Sequence, residues 1–187
     1  YNTRRAKELL ELFLEYHPDI RFHLEIHPAL LSEELKEELK HLPEGLLHLE
    51  AGIQSLREPV LEKSRRMGKL TDALEGLKFL CSLPNMETHA DLIAGLPLYH
   101  LSEIFEDIRV LAAYGAGEIQ LESLKLLPGT EMRRRAEELG IQYSPLPPYE
   151  VLQTREVNVS ELQTARQLSR LLDGFYNTPA WQSITRK

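Results

Sequence analysis

Residues 49–97 constrain the fold of this chain more than any other part of its sequence. Their two ends lie in LLHLEAGI and ETHADLIAGL, apolar segments in which polar residues recur with period two, as in short buried strands. The segment between them predicts one amphipathic helix, with apolar residues at Leu70, Ala73, Leu74, Leu77, Phe79 and Leu80. A strand, a crossover helix and a second strand form a βαβ unit, which implies a parallel pair of strands.

The rest of residues 1–140 repeats this unit, in the predicted order α, β, α, β, α, β, α, β, α. The first strand buries Ile20 on its apolar side, and the helix after it begins at the N-cap Ser32. A later helix is capped by Ser102 and turns Phe105 towards the core. The pattern predicts an α/β fold with at least four βα units and parallel strands, arranged as an incomplete (β/α) barrel.

Residues 141–187 are predicted to form a C-terminal helical extension of different character. A proline-rich stretch after Gly140 has no helical period and predicts an extended segment on the surface. A last helix, capped at Ser160, turns Phe175 inward, and we expect the extension to lie across the barrel mouth as a lid. Because the chain opens on a helix, we also expect that the first barrel strands are missing; a natural domain that begins here is the alternative.

Composition excludes several classes of partner and site. The formal net charge of −7 over 187 residues argues against a nucleic-acid surface. No apolar stretch is long enough to span a membrane and no signal peptide is visible, so we expect a cytoplasmic protein. The single cysteine, Cys81, excludes an internal disulfide and a multi-cysteine metal or iron–sulfur site within these residues.

Four motifs in order resemble the later part of the barrel in the radical S-adenosylmethionine superfamily. They are the strand end LEAGIQS, an arginine in SRRMGK, the strand DLIAGLP and the turn LLPGT. The nearest patterns belong to oxygen-independent coproporphyrinogen III oxidase and to cobalamin-binding-domain radical enzymes related to the anaerobic magnesium-protoporphyrin IX monomethyl ester cyclase. The tail, with PPYEVLQT and DGFYN, resembles the C-terminal extension of an uncharacterised branch of the cobalamin-linked group.

This resemblance implies a binding site for S-adenosylmethionine at the carboxyl ends of the strands. Glu25 matches a strand-end glutamate near the polar part of that cofactor. Asp91 matches an aspartate near its ribose hydroxyls, although a strand-end carboxylate can also simply cap the next helix. The main chain around Leu127 and Gly129 would approach the adenine.

The resemblance also assigns two residues to the ribose and to the carboxylate of the cofactor. Gln54 and Arg66 match a glutamine and an arginine that hydrogen-bond these groups, with Arg65 as the alternative arginine. A zwitterionic nucleoside needs a guanidinium for its carboxylate, and acceptors for its hydroxyls and ammonium. A surface position for the arginine is the competing interpretation.

Two further cofactors follow from the resemblance alone. The family binds a [4Fe–4S] cluster through a C-x-x-x-C-x-x-C loop after the first strand, so the cluster ligands would lie outside this chain, which alone would be inactive. Cobalamin could be bound in a missing N-terminal domain. In full length, cleavage of S-adenosylmethionine to a 5′-deoxyadenosyl radical would serve an oxidoreductase or methyl-transfer reaction on a small-molecule substrate. The electron donor would be a protein such as flavodoxin or ferredoxin.

Two other functions stay open at this stage. A cluster-free α/β-barrel enzyme, such as an aldolase or isomerase, would use Glu25, Asp91 and a lysine. A non-catalytic assembly module would pair an open barrel edge with another chain, and the same edge predicts self-association.

No metal ligand and no catalytic residue is predicted. Histidines in or beside the strands could suggest a metal site, but satisfied core or barrel-lining side chains are the preferred interpretation for His23, His27, His48 and His89. Three polar residues of the tail are expected to pack rather than to contact substrate: Tyr149, Tyr176 and Asn177.

Overall fold

The computed structural model describes residues 2–66 and 68–185. At the centre of the fold lies one parallel sheet with the strand order β1-β2-β3-β4. This sheet confirms the predicted α/β fold with four strands in βα units. The strands are β1 (Phe22–Ile26), β2 (Leu47–Gln54), β3 (Glu87–Ala94) and β4 (Glu118–Ser123). The helices before and between them are α1 (Thr3–Leu14), α2 (Glu33–Lys40), α3 (Glu58–Lys63), α4 (Leu70–Cys81) and α5 (Leu101–Ala113). Within the described residues, no helix combines the length and apolar character that crossing a bilayer requires.

Strand β2 shows how the sheet separates an apolar face from a polar one. Every second residue of this strand is buried: Leu47, Leu49, Ala51 and Ile53. These side chains belong to one hydrophobic cluster with Leu77 and Leu80 of α4. Because side chains alternate along a strand, Glu50 and Gln54 lie on the opposite face and are only half-buried. The polar face is therefore the one that can carry a site.

The crossover between β2 and β3 differs from the prediction. It consists of two helices, α3 and α4, rather than one. Arg65 and Gly68, which lie between them, have positive φ angles of 55° and 89°. A left-handed backbone conformation cannot continue a right-handed helix, so the chain turns here.

Helix starts depend on capping residues, and the predicted caps are confirmed in one case of three. Ser32 caps α2 as predicted. The N-cap of α5 is His100 rather than Ser102, and the N-cap of α8 (Val159–Leu171) is Asn158 rather than Ser160. In both helices a glutamate three residues after the N-cap accepts the backbone N–H of the N-cap residue, which completes a capping box further upstream than we expected.

Three apolar side chains that were predicted to face inward are exposed. Ile20, 45% exposed, precedes β1, which begins at Phe22. Phe105, 39% exposed, lies beside the buried stripe of α5. Phe175, 49% exposed, lies in a π-helical turn whose period differs from that of an α-helix; its ring contacts Trp181 with centroids 5.9 Å apart.

The C-terminal extension lies along β4, at the sheet edge opposite β1. Gly140, with a φ of 68°, ends the helix that precedes it. The proline-rich stretch is partly a hairpin rather than wholly extended, because Ser144 N–H donates to the Glu150 carbonyl at 2.9 Å. Helix α8 and the turn after it contact β4. The remaining elements are α6 (Glu131–Arg134), α7 (Ala136–Leu139), β5 (Gln142–Tyr143), antiparallel to β6 (Val151–Gln153), the π-helical turn Leu172–Tyr176, the 3₁₀ turn Pro179–Trp181 and α9 (Gln182–Thr185).

Asn177 covers the outer edge of β4 with its side chain. Its Oδ1 accepts the backbone N–H of Ile119 at 2.9 Å, and its Nδ2 donates to the carbonyl of Ile119 at 3.1 Å. The neighbouring Tyr176 is buried, and its hydroxyl donates to the carbonyl of Ala116 at 2.7 Å. These contacts agree with the packing role expected for both residues.

We expect Asn177→Ala to lower the free energy of unfolding by about 1.5 kcal/mol, because the N–H and C=O of the buried Ile119 lose their partners. Urea denaturation measures this change. Gln167→Ala, at an exposed position of α8, is the matched control and should change the same free energy by less than about 0.5 kcal/mol. Equal effects of the two substitutions would contradict the assigned role.

Strand β1 forms the other edge of the sheet, and no described strand pairs with its outer side. An edge strand with unpaired backbone groups favours pairing with another chain. We therefore expect sedimentation analysis at micromolar concentration to detect self-association. A strictly monomeric chain under those conditions would rule this expectation out.

Candidate functional site

A cleft of about 360 Å³ opens at the carboxyl ends of the strands, on the polar face of the sheet. Parallel α/β folds commonly bind ligands at this end of their strands. The charged and amide side chains that line the cleft are Glu25, Glu50, Gln54, Arg66, Asp91 and Glu122. Among the described residues, none from the C-terminal extension lines it, so the expected lid is not seen.

The structure brings four of the six predicted site residues together, since Glu25, Gln54, Arg66 and Asp91 all line the cleft. Leu127 and Gly129 lie outside it, in the turn after β4. The side chain of Leu127 is 51% exposed, and its carbonyl accepts the hydroxyl of Thr130 at 2.8 Å. Gly129 has a φ of 83°. The binding roles of all six residues stay predictions.

Arg66, rather than Arg65, reaches the cleft. The half-buried guanidinium of Arg66 donates from Nη2 to the carbonyl of Gly52 at 2.5 Å, and its buried Nε makes no hydrogen bond within the described residues. A side chain at position 52 would place Cβ 3.0 Å from that Nη2, so glycine leaves room for the guanidinium. Burial lowers the pKa of Arg66 from its usual value. Arg65 instead pairs with Glu131 of α6 at 2.5 Å.

A buried aspartate holds the loop that follows Gln54. Asp107 of α5, 0% exposed, accepts the backbone N–H of Leu56 at 2.8 Å and the hydroxyl of Tyr99 at 2.6 Å. It also accepts Arg57 Nε at 2.9 Å. Because Tyr99 follows β3 and Leu56 follows β2, this network fixes the two strand ends beside the cleft relative to each other. The sequence does not reveal this network, since Asp107 lies on the buried side of α5 among apolar residues.

The carboxylates in the cleft perturb one another. Burial, together with the nearby Glu50 carboxylate, raises the pKa of Asp91 to about 6 against the opposing effect of His89. Burial also acts to raise the pKa of Glu50, but hydrogen bonds with Asp91 and His23 outweigh it and hold that pKa below its usual value. Asp91 is therefore the carboxyl group of this pair that holds a proton at mildly acidic pH.

Three of the four strand histidines meet on the polar face of the sheet. The rings of His23 and His48 stack with centroids 4.8 Å apart, and the His89 ring lies 5.0 Å from that of His48. His27 lies apart from them and lines the cleft. A repeated motif could have revealed the cluster, because three successive strands carry a histidine two residues before a carboxylate: HLE at 23–25, HLE at 48–50 and HAD at 89–91.

Solved structures share the fold over most of the chain. Coproporphyrinogen III oxidase (HemN) from Escherichia coli, described as a radical SAM enzyme, matches with a TM-score of 0.56 and 17% identity, over 76% of this chain and 38% of its own. The radical S-adenosylmethionine methyltransferase TsrM from Kitasatospora setae matches with a TM-score of 0.59 and 19% identity, over 89% of this chain and 34% of its own. The fold resembles that of radical S-adenosylmethionine enzymes. SuiB from Streptococcus suis matches with a TM-score of 0.52 and 10% identity, over 70% and 32% of the two chains.

The likeness concerns the fold, and the chain spans about a third of the length of each of these proteins. The TsrM structures contain tryptophan substrate with an S-adenosylmethionine analogue in one case, and cobalamin with a [4Fe–4S] cluster in the other. The sequence model of a family described as a protein of unknown function (DUF4080) matches residues 137–186, which lie almost entirely in the extension. No curated protein sequence matches the chain significantly.

The side chains of this chain limit the chemistry that it can supply. Cys81, at the end of α4, is the one cysteine of the sequence, and burial raises the pKa of its thiol to about 11. One thiol cannot provide the three cysteine ligands of the expected cluster. The described residues that line the cleft include no lysine, which counts against the aldolase alternative.

Proposed function

We propose that this chain is the part of a radical S-adenosylmethionine enzyme that binds S-adenosylmethionine. The observation that carries this proposal is the half-buried guanidinium of Arg66, which stands among carboxylates in a cleft at the strand ends. The likeness of the fold to radical S-adenosylmethionine enzymes supports it.

The charges in the cleft suit a zwitterionic, sulfonium-bearing nucleoside. Arg66 would pair with the carboxylate of the ligand through its unused Nε and its Nη groups. Gln54 and Asp91 would accept or donate hydrogen bonds at the ribose hydroxyls, and Glu25 would lie near the ammonium group. The several carboxylates of the cleft would also favour a ligand with cationic centres.

The [4Fe–4S] cluster expected for this family does not fit the residues of this chain, since its sequence has one cysteine. We therefore assign the cluster ligands to a part of the protein outside this chain. A cluster of this kind supplies the electron that cleaves S-adenosylmethionine reductively, and flavodoxin or ferredoxin is the type of protein that delivers such an electron.

The intact protein would use the resulting 5′-deoxyadenosyl radical in an oxidoreductase or methyl-transfer reaction on a small-molecule substrate. Methyl transfer would require cobalamin in another domain. Cobalamin in TsrM, whose fold this chain resembles, is consistent with that arrangement.

The decisive experiment compares Arg66→Ala with Arg65→Ala in the full-length protein. We expect Arg66→Ala to weaken S-adenosylmethionine binding about ten- to a hundredfold in calorimetry, because a charge-assisted pair with the ligand carboxylate is lost. Arg65→Ala is the matched control, since its guanidinium pairs with Glu131 outside the cleft. Unchanged affinity in Arg66→Ala, or an equal loss in the control, would refute the assignment.

A further inference from the structure

Three side chains form a constellation at the cleft: Glu50 of β2 and Asp91 of β3 line it, and the buried His89 of β3 lies beside them. One potential ligand atom of each lies within 4.8 Å of those of the other two. His89 Nε2 is 3.4 Å from Glu50 Oε2 and 3.3 Å from Asp91 Oδ1. Ligand atoms about 2.1 Å from one metal ion lie about 3.0–3.5 Å apart at tetrahedral or octahedral angles. These two separations are therefore those of ligands around a single ion.

Two buried atoms of this constellation, one on His89 and one on Asp91, lack a hydrogen-bond partner within the described residues. The side chain of His89 is 1% exposed, and within the described residues its Nε2 makes no hydrogen bond of acceptable geometry. The same holds for the buried Oδ1 of Asp91. Because buried polar atoms in folded proteins are nearly always hydrogen-bonded, two such atoms facing each other call for an explanation. Asp91 Oδ1 has lone pairs for a cation, and His89 Nε2 has one when the imidazole hydrogen is on Nδ1.

We infer that Glu50, His89 and Asp91 bind a divalent transition-metal ion. One imidazole nitrogen and two carboxylate oxygens suit first-row ions such as Mn²⁺, Co²⁺ and Zn²⁺. Two carboxylates also offset the charge of such an ion.

The register of the sheet creates this site. Between β1 and β2 the repeated motifs align, so that His23 is opposite His48 and Glu25 is opposite Glu50. Between β2 and β3 the motifs are shifted by two residues, and His89 lies opposite Glu50. The shift places an imidazole beside a carboxylate on the neighbouring strand, which the aligned arrangement would not do.

Neighbouring histidines hold two of the three ligands in place. His48 Nε2 lies 2.7 Å from His89 Nδ1, and His23 Nε2 lies 2.9 Å from Glu50 Oε2. Metal-binding histidines usually donate their second ring N–H to such a partner, which fixes the orientation of the ring. With a metal on Nε2, His89 donates from Nδ1 to His48 Nε2, and the hydrogen of His48 lies on Nδ1, 3.4 Å from Glu87 Oε2. Arg21 Nη2, which is 3.0 Å from that Nδ1, must then give up this contact and keep its pairing with Glu87 at 2.6 Å. His48 is thus a positioning residue.

The inferred metal and the proposed cofactor can share Asp91, because a carboxylate has two oxygens and can ligate with one of them. The metal site does not rest on the proposed function. It is tested with metal alone, in the absence of S-adenosylmethionine, so that either proposal can fail without the other.

The test is a titration of the tag-free chain with Co²⁺, followed by visible absorption. We expect one equivalent to bind, and Cu²⁺ to displace it, since the stability order places Cu²⁺ above Co²⁺. Glu50→Gln and Asp91→Asn keep the shape of each ligand but remove its charge, and each should weaken Co²⁺ binding at least tenfold. His48→Leu should weaken it about ten- to a hundredfold through the orientation of His89.

His41→Gln is the matched control, because His41 is an exposed histidine at the end of α2. It should leave the titration unchanged, and thermal melting should verify that every variant is folded. The absence of a saturable Co²⁺ band, or binding as tight in Glu50→Gln and Asp91→Asn as in the control, would overturn the inference.

Discussion

Asp107→Ala is expected to lower the free energy of unfolding by about 3 kcal/mol, the largest loss that we foresee for a single side chain of this protein. The substitution leaves the backbone N–H of Leu56 and the hydroxyl of Tyr99 without their acceptor. The Arg57 guanidinium is less affected, because it keeps Glu106 at 2.7 Å and is partly exposed. Chemical denaturation of the chain measures the loss.

Glu106→Ala is the control for that experiment, since Glu106 and Asp107 pair with the same Arg57 and differ in burial. An exposed ion pair contributes at most about 1 kcal/mol, whereas the buried carboxylate accepts several hydrogen bonds. If the two substitutions had equal effects, the account of the network would be wrong. Because the network holds the loop after Gln54, Asp107→Ala should also weaken ligand binding in the cleft.

Gly76→Ala is expected to lower the free energy of unfolding by about 2 kcal/mol. A Cβ at this position of α4 would clash with the carbonyl oxygen of Pro28 and lie 2.8 Å from its carbonyl carbon, so α4 and the 3₁₀ turn Pro28–Leu30 would have to separate. The helix propensity of alanine, about 1 kcal/mol better than that of glycine, offsets only part of this cost.

Gly174→Ala tests the same exchange without the clash. No atom lies within 4 Å of the Cβ that it would add, and the residue belongs to the helical turn after α8. Here we expect the free energy of unfolding not to fall, and to rise by up to about 1 kcal/mol. A destabilisation of the same size as in Gly76→Ala would show that the contact with Pro28 does not explain the first result.

The cleft has two parts that the proposed experiments address separately. Arg66 and Gln54 belong to the proposed cofactor site, and Arg66→Ala reports on binding of a carboxylate-bearing ligand. Glu50, His89 and Asp91 form the inferred metal site, and Co²⁺ reports on them without any organic ligand. The outcomes together would distinguish a cofactor site, a metal site, both or neither.

Much of the site could be predicted, because a strand end is a local feature. Glu25, Gln54 and Asp91 are predicted near strand ends from the hydrophobic pattern, Arg66 is assigned by the family resemblance, and all four line one cleft. Leu127 and Gly129 could not be placed in the same way, since the direction of a loop after a strand depends on what packs against it. The choice between Arg65 and Arg66 likewise depended on the left-handed turn and on Glu131.

The sequence by itself determined the alternation of strands and helices, and hence the parallel α/β sheet, because hydrophobic periodicity is encoded within each segment. Only the tertiary structure decided which side chains of different strands meet. Interstrand register depends on backbone pairing and on the packing of the crossover helices, and a shift of two residues keeps every side chain on its own face. That shift, invisible in the periodicity, sets His89 opposite Glu50.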